Sequence, residues 1–352
     1  MTELKQGYTT GTCAAAAARA AVLKLCRGEN SARVQIRLPG GETAELPVES
    51  ISAEEGTARA AVVKDAGDDP DITDGVQVVA AAAKSAGSKL DLRAGKGVGI
   101  VNRRGLQVPV GEPAINPTPR RMIADAVRDV TADGLVLTVS IPGGEDLAQE
   151  TFNPRVGVEG GLSVLGTTGK VRPFSCPALR ESITCLLDAA EADGLRCPVL
   201  VPGHVGSRAA GRHLSAAEES VIEVSNEWGH ALDRAAERSF RGLLVAGHPG
   251  KLAKLAAGDW NTHSDRSGSA LPVVRRLAGD AACAASGDCG TTEELFSVLS
   301  PRDRRIAGTR TAEAVRDAVR ERTNRQMEIA VLLADMQGEM LGSAGNVERW
   351  KP

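Results

Sequence analysis

The sequence predicts an α/β protein of two domains. Residues 1–175 read as an N-terminal α+β domain with an extended mixed sheet. Residues 176–352 read as a C-terminal Rossmann-like, three-layer αβα domain. Three observations lead there. The chain has 352 residues, the length of about two domains. Its first half sets short β-type segments and glycine loops around few helices. After about Pro173, strands and helices alternate, which is the rhythm of βαβ units and a parallel sheet.

Taken in order, the alanine run Cys13–Leu25 predicts a helix, because Ala, Leu, Lys and Arg cost little in helical backbone. Thr10 or Thr12 offers the N-terminal cap and Gly28 the C-terminal stop. Arg33–Leu38 and Glu42–Val48 flank Pro39-Gly40-Gly41, a hairpin pattern. Further β-type segments are Ala60–Lys64, Val76–Ala80, Val98–Val101 and Leu135–Ile141, with a helix over Pro119–Val130. In the second half, helix Pro177–Ala192 leads to strand Val199–Val201. Helix Ser207–Ala217 leads to strand Val221–Val224, and helix His230–Arg238 to strand Leu243–Ala246. A helix over Lys251–Ala257, a helix over Arg310–Arg325 and strand Ile329–Ala334 complete the domain. VLVPGHVGSRAA from Val199 and LLVAGHPGKLAK from Leu243 echo one another: an apolar strand, then G-H-x-G, then a helix.

Composition narrows the function. Lys and Arg total 42 against 45 Asp and Glu, for a net charge of −3. Such a chain has no global basic field to draw nucleic acid, and aromatics at 2% give few platforms for stacking bases. The seven cysteines are scattered without C-x2-C spacing, so they read as reduced thiols packed as small hydrophobes. No protein-bound metal is expected. No apolar run approaches a membrane span, and Arg19 interrupts the one near the N-terminus. A cytoplasmic location is the default expectation.

Several loops carry chemistry. The two G-H-x-G loops follow strands, where open α/β sheets bind ligands. Glycine admits close backbone approach, and a following helix offers free amides. Ordinary tight turns explain them equally well. KDAGDDPDITDG (Lys64 to Gly75) concentrates five aspartates, including Asp68 and Asp69, without the terminal Glu of a calcium loop. It reads as a solvated turn unless Lys64 or an external cation or amine compensates the charge. GYTTGTC supplies Thr9, Thr10 and Thr12. GTTGKVRP supplies Thr167, Thr168, Lys170 and Arg172. Hydroxyls, amides and cations together make a carboxylate or phosphate seat. Arg120 belongs to a third donor-rich stretch, although a solvated charge is the better reading of any single arginine there. His263 in NTHS is a candidate general acid or base, against the commoner structural role of a loop histidine.

In order along the chain, GYTTGTCAAAA, KDAGDDPDITDG, GVGIVNRRGLQVPVGEPAINPTPR, EGGLSVLGTTGKVRPFS, VSNEWG, GHPGKLAKLAAG, NTHS and GDCGTTEE resemble the signatures of the CbiD family. These are the cobalt-precorrin-5B (C1)-methyltransferases of cobalamin synthesis. The resemblance runs from Gly7 to Gly345. It implies transfer of a methyl group from S-adenosylmethionine to ring carbon 1 of a cobalt-containing tetrapyrrole, giving cobalt-precorrin-6A by in-line displacement. The tetrapyrrole is then expected on the N-terminal domain, its carboxylates held by the threonines, Lys64 and the basic residues named above. Asp68 and Asp69 would favour the positive sulfonium, with His263 as the remaining catalytic candidate. The methyl donor is expected in the C-terminal domain, near Gly203, His204 and Gly206 of the first loop and Gly247, His248, Gly250 and Lys251 of the second. Ser225 and Asn226 would lie beside them. A homodimer and contact with neighbouring pathway enzymes are further expectations, with no nucleic acid and no membrane.

This chain departs from the family pattern at three loops. Asp74 stands where T-H-G is usual, His204 where P-G-N is usual, and Glu227-Trp228 where S-N-F-V-G is usual. Two alternatives therefore stay open: the same chemistry on a metal-free precorrin, and a carrier that holds the tetrapyrrole without methylating it.

Overall fold

The structure is a computed structural model that describes residues 4–172, 176–214, 216–279 and 289–351. Cys283, Pro173 and the start of GDCGTTEE lie outside them. The chain is a mixed α/β protein with several sheets. It divides into two compact units, Met1–Ser175 and Cys176–Pro352.

The first unit is organised by the helix Thr10–Arg27. Ala14 to Ala18, Ala20 and Ala21 are completely buried. They pack on the strands Thr57–Val63 and Gln77–Ser85 and on the helix Pro117–Arg128. The facing sheet residues are also small: Ala60, Val62, Val78, Ala80 and Ala82. With methyl groups on both sides, helix and sheet backbones approach closely and the interior stays dense. Arg19 breaks the apolar run because it reaches the end of the neighbouring helix. It donates to the Ala126 carbonyl and to Asp129, each at 3.1 Å.

The sheet beneath this helix has five strands in the order Ser50–Glu54, Thr57–Val63, Gln77–Ser85, Gly134–Ser140, Leu90–Ala94. All neighbours are antiparallel except the last pair, which is parallel. The two edge strands escape sequence reading because SISAE and LDLRA are polar and lack a buried alternating face. The hairpin Arg33–Arg37 with Thr43–Pro47 forms as the glycines predict. Val98–Val101 does not form one strand. Gly97–Val98 pairs parallel with Gly161–Leu162, and Ile100–Val101 pairs antiparallel with Val158–Glu159. Gly99 between them lies against the backbone: a Cβ there would be 2.8 Å from the Gly161 carbonyl oxygen. The helix cap is Thr9, whose hydroxyl accepts from the Thr12 amide, rather than Thr10 or Thr12. Gly28 ends the helix at φ 73 as expected.

The second unit holds a five-stranded sheet in the order Val221–Glu223, Val199–Val201, Gly242–Gly247, Glu328–Ala334, Met340–Ala344. The first four are parallel and the last is antiparallel. Gly242–Gly247 is buried at every position, so both faces are covered. The helix His204–Leu214 packs on one face, with Val199, Val201, Leu244, Ala246, Ala330 and Leu332. The second unit differs from the sequence reading in three respects. Lys251–Ala257 is a short helix, Pro249–Leu252, followed by a 3-10 turn at Leu255–Ala257. The long helix starts at Pro301, not Arg310, because Ser300 caps it by accepting from the Asp303 amide. The helices Leu271–Ala278 and Thr292–Val298 and the strand Met340–Ala344 were not anticipated.

The alanine interface yields a direct test. Ala17→Leu inserts methylenes where helix and sheet leave no room, so it should destabilise the protein by about 1–3 kcal/mol. Urea unfolding followed by circular dichroism should show a lower midpoint at an unchanged slope. An unchanged midpoint would mean the interface is looser than described.

Candidate functional site

In the first unit, three of the distant motifs meet at the start of the alanine helix. Gly7–Tyr8 pairs antiparallel with Lys170–Val171. The Tyr8 amide donates to the Asp65 carbonyl at 2.8 Å, and the Gly11 amide to the Leu165 carbonyl at 2.9 Å. The Thr12 hydroxyl donates to the Gly169 carbonyl at 2.7 Å. The Leu165 amide donates to the Thr10 hydroxyl at 2.9 Å. Gly7 must be glycine: a Cβ there would sit 2.2 Å from the Ala66 carbonyl carbon.

This geometry changes how the predicted donors read. Thr10 and Thr12 are buried, and Thr9 caps the helix, so their hydroxyls are spent on the protein itself. Thr168 closes a local turn with Lys170, and Lys170 pairs with Glu42 at 2.6 Å. Arg120 donates to the carbonyls of Ile115 and Pro113 and to Glu112, which fixes its own loop. Thr167 and Arg172 stay exposed.

The acidic loop is anchored by a buried lysine. Lys64 is 1% exposed, and its ammonium meets Asp71 at 2.8 Å. Asp71 also accepts from the Thr73 amide and hydroxyl. Burial pushes the Asp71 carboxyl up, but the bonds from Lys64 and Thr73 outweigh it and hold the group below the ordinary carboxylate range. Asp74 accepts from the Ala66 amide at 2.7 Å, so this departure from the family pattern is part of the loop's own framework. Asp68 is exposed and accepts from the Lys5 amide, while Asp65 pairs with the Lys5 ammonium. The nearby Cys13 thiol is pushed up to about 12 by burial and is inert.

In the second unit, the residues expected to hold the donor collect at one edge. The loops after Val199–Val201, Val221–Glu223 and Gly242–Gly247 all leave the carboxyl ends of adjacent parallel strands. From Val199–Val201 the chain goes first to the strand on one side, then to the strand on the other. The strand order therefore reverses between the two G-H-x-G loops, and that crevice is where open sheets bind ligands. The loops touch there: a Cβ on Gly247 would be 2.8 Å from Pro202 Cδ. Gly206 lets its helix lie on the Ala246 carbonyl, 2.4 Å from where a Cβ would stand.

Side chains around this edge divide into framework and open groups. His248 Nδ1 accepts from the Gly250 amide at 3.0 Å, and its Nε2 donates to Glu293 at 2.8 Å. The ring is thus fixed as a cap. Asn226 accepts from the Thr262 hydroxyl and amide, each at 3.1 Å. Ser225, before it, holds a left-handed φ of 52. Lys254, buried, donates to the Thr262 carbonyl and the Ser267 hydroxyl. Glu227, buried, accepts from Arg180 at 2.6 Å and from Asn261 at 2.8 Å, beside the fully buried Trp228. These contacts dock the NTHS loop on the SNEW loop. His263 is exposed on that loop and accepts from the Asp265 amide at 3.3 Å. His204 is exposed at the crevice. Burial first, and then the Lys254 charge, pull the Lys251 ammonium below the ordinary lysine range, while Glu223 pushes it back. Sequence reasoning missed Lys254 and Glu223, and marked Glu227 only as a departure from the family pattern. Glu223 stands 20 positions after Gly203, a spacing that carries meaning only once the strand order is known.

The second unit is an open, mainly parallel α/β sheet whose loops gather where the strand order reverses. The chain belongs to the CbiD family. Its family model matches residues 1–173, and the model "CbiD, C-terminal domain" matches residues 261–345. The chain is 47% identical over 351 residues to the cobalt-precorrin-5B C(1)-methyltransferase of Syntrophotalea carbinolica, covering 100% of both chains. It is 44% identical to the protein of the same name from Moorella thermoacetica, over 90% of this chain and 83% of that one. A crystal structure of the cobalamin biosynthesis protein CbiD of Archaeoglobus fulgidus is 29% identical. It covers 73% of this chain and 81% of its own, with a TM-score of 0.40.

The buried lysine gives the prediction for this site. Lys64→Met leaves a part-buried aspartate without its cation and should cost about 3 kcal/mol. The pair's contribution in the parent protein is complete above about pH 4, where the unfolded carboxyl is also ionised. It is lost as pH falls through the lower folded value. Urea titrations at a series of pH values should therefore show parent and variant converging in acid. A constant gap would remove the ion pair as the cause.

Proposed function

We propose that this chain is a methyltransferase. It uses S-adenosylmethionine to methylate carbon 1 of cobalt-precorrin-5B, giving cobalt-precorrin-6A in cobalamin synthesis. The observation that carries this is the 47% identity, end to end, with a protein named for that activity. We read the second unit as a Rossmann-like, three-layer domain that seats the donor at the switch point between Gly203 and Gly247. The tetrapyrrole is assigned to the first unit, where Thr167 and Arg172 remain accessible to its carboxylates. A cytoplasmic homodimer belongs to the same reading. Among the described residues no helix is long and apolar enough to cross a membrane.

The chemistry asks little of covalent catalysis. A sulfonium methyl is already activated, so alignment of methyl and acceptor carbon supplies much of the rate. What supports this reading is a fixed loop framework: Lys254, Glu227 and Asn226 hold the NTHS loop, and His248 holds its own turn. Asp68 is partly spent on Lys5, which weakens it as a sulfonium partner. A cavity of about 590 Å³ lined by Arg241, Arg316, Arg320 and Arg325 lies by the amino ends of Gly242–Gly247 and Glu328–Ala334. Its guanidinium groups would repel a sulfonium, so we do not assign the donor there.

Two of the departures from the family pattern fall on framework. Asp74 serves its loop, and Glu227 with Trp228 serves the scaffold under NTHS. This favours unchanged chemistry over a carrier role. Incubation with methyl-labelled S-adenosylmethionine and cobalt-precorrin-5B should add one labelled methyl at carbon 1, read by mass spectrometry. Transfer only to the metal-free precorrin would move the substrate assignment. No transfer to either, with the pigment still bound, would favour the carrier.

A further inference from the structure

Glu223 ends the strand Val221–Glu223 in parallel register with Val201, next to the first G-H-x-G loop. A Cβ built on Gly203 would stand 2.9 Å from Glu223 Oε1, so the carboxylate lies over bare backbone. Gly203 has a φ of +149, where a side chain would be strained as well as crowded. Glu223 is half-buried; the Lys251 ammonium is near enough to feel its charge, but among the described residues no group donates a hydrogen bond to the carboxylate. Its neighbours are committed: Glu227 to Arg180 and Asn261, and Glu293 to His248. A half-buried carboxylate left without donors is costly unless something outside the protein supplies them.

We propose that Glu223 accepts hydrogen bonds from the vicinal ribose hydroxyls of the methyl donor, whose adenosine is seated over Gly203. This rests on the donor reading above. Two carboxylate oxygens match two adjacent hydroxyl donors. In open α/β sheets that bind nucleosides, an acidic residue about 20 positions beyond the first loop glycine takes this role. Glu223 follows Gly203 by 20 positions, on the adjacent strand. The glycine fingerprint itself is missing, so place in the fold, not motif, makes the assignment. The same carboxylate would repel a 2′-phosphate, which sets the specificity toward an unphosphorylated ribose.

Calorimetric titration of the full-length protein separates the possibilities. The probes are S-adenosylhomocysteine and its 2′,3′-dideoxy analogue, against the parent, Glu223→Ala and Glu223→Gln. The parent should prefer the intact ribose by about 10–100-fold, the range for hydrogen bonds to a charged group. Glu223→Ala should abolish that preference by weakening S-adenosylhomocysteine alone. Glu223→Gln, isosteric and still an acceptor, should keep part of it and the parental melting temperature. If the parent binds S-adenosylhomocysteine without preference, or Glu223→Ala keeps the preference, the role of Glu223 fails while the donor reading stands. If the parent binds neither probe, the donor reading fails and takes this assignment with it.

Discussion

Close approach of backbone to backbone is the constraint on which both units rest. In the first, the alanine face of Thr10–Arg27 lies on an alanine and valine sheet. In the second, Gly308 of the long helix meets the strand Met340–Ala344. A Cβ on Gly308 would be 2.1 Å from the Leu341 carbonyl oxygen, and one on Gly342 would be 2.3 Å from the Gly308 carbonyl carbon. A chain with 2% aromatics has few large side chains to fill space. It reaches interior density by removing side-chain volume at crossings rather than by interlocking large groups. One added methyl at such a crossing has nowhere to go.

The same economy places the loops. Gly7, Gly11 and Gly169 bring the GYTTGTC, acidic and GTTGK segments within hydrogen-bond reach, and the threonines tie them together. At the switch point, Gly206 and Gly247 bring a helix and a loop against the strand ends. Residues with satisfied partners, such as Thr12, His248, Asn226 and Lys254, hold the loops in place. Among the described residues, the side chains of Glu223, His204 and Thr167 have no hydrogen-bonded partner, and the last two are exposed.

Much of this was legible in the sequence where local physics decides. The alanine helix, the Gly28 stop, the hairpin and the first parallel strands follow from propensity, turn chemistry and apolar runs. Edge strands such as Ser50–Glu54 were not legible, because a polar edge carries no periodic burial. The split at Gly99 depends on two partners about sixty residues away. Site residues were readable as types and less so as roles. The threonines of GYTTGTC carry ligand-like chemistry, yet Thr10 and Thr12 spend their hydroxyls on the Leu165 and Gly169 segments. No spacing rule could reveal that, since the partners lie more than 150 positions distant. Glu223 was overlooked for the opposite reason: a lone glutamate means little until the strand order puts it beside Gly203.

The central claim is that the methyl donor sits where the strand order of the second unit reverses. A crystal structure of the protein with S-adenosylhomocysteine tests it most directly. The account predicts the adenosyl group between the loops that follow Val199–Val201 and Gly242–Gly247, over Gly203. Density for the adenosyl group on the GYTTGTC and acidic loops of the first unit instead would contradict it.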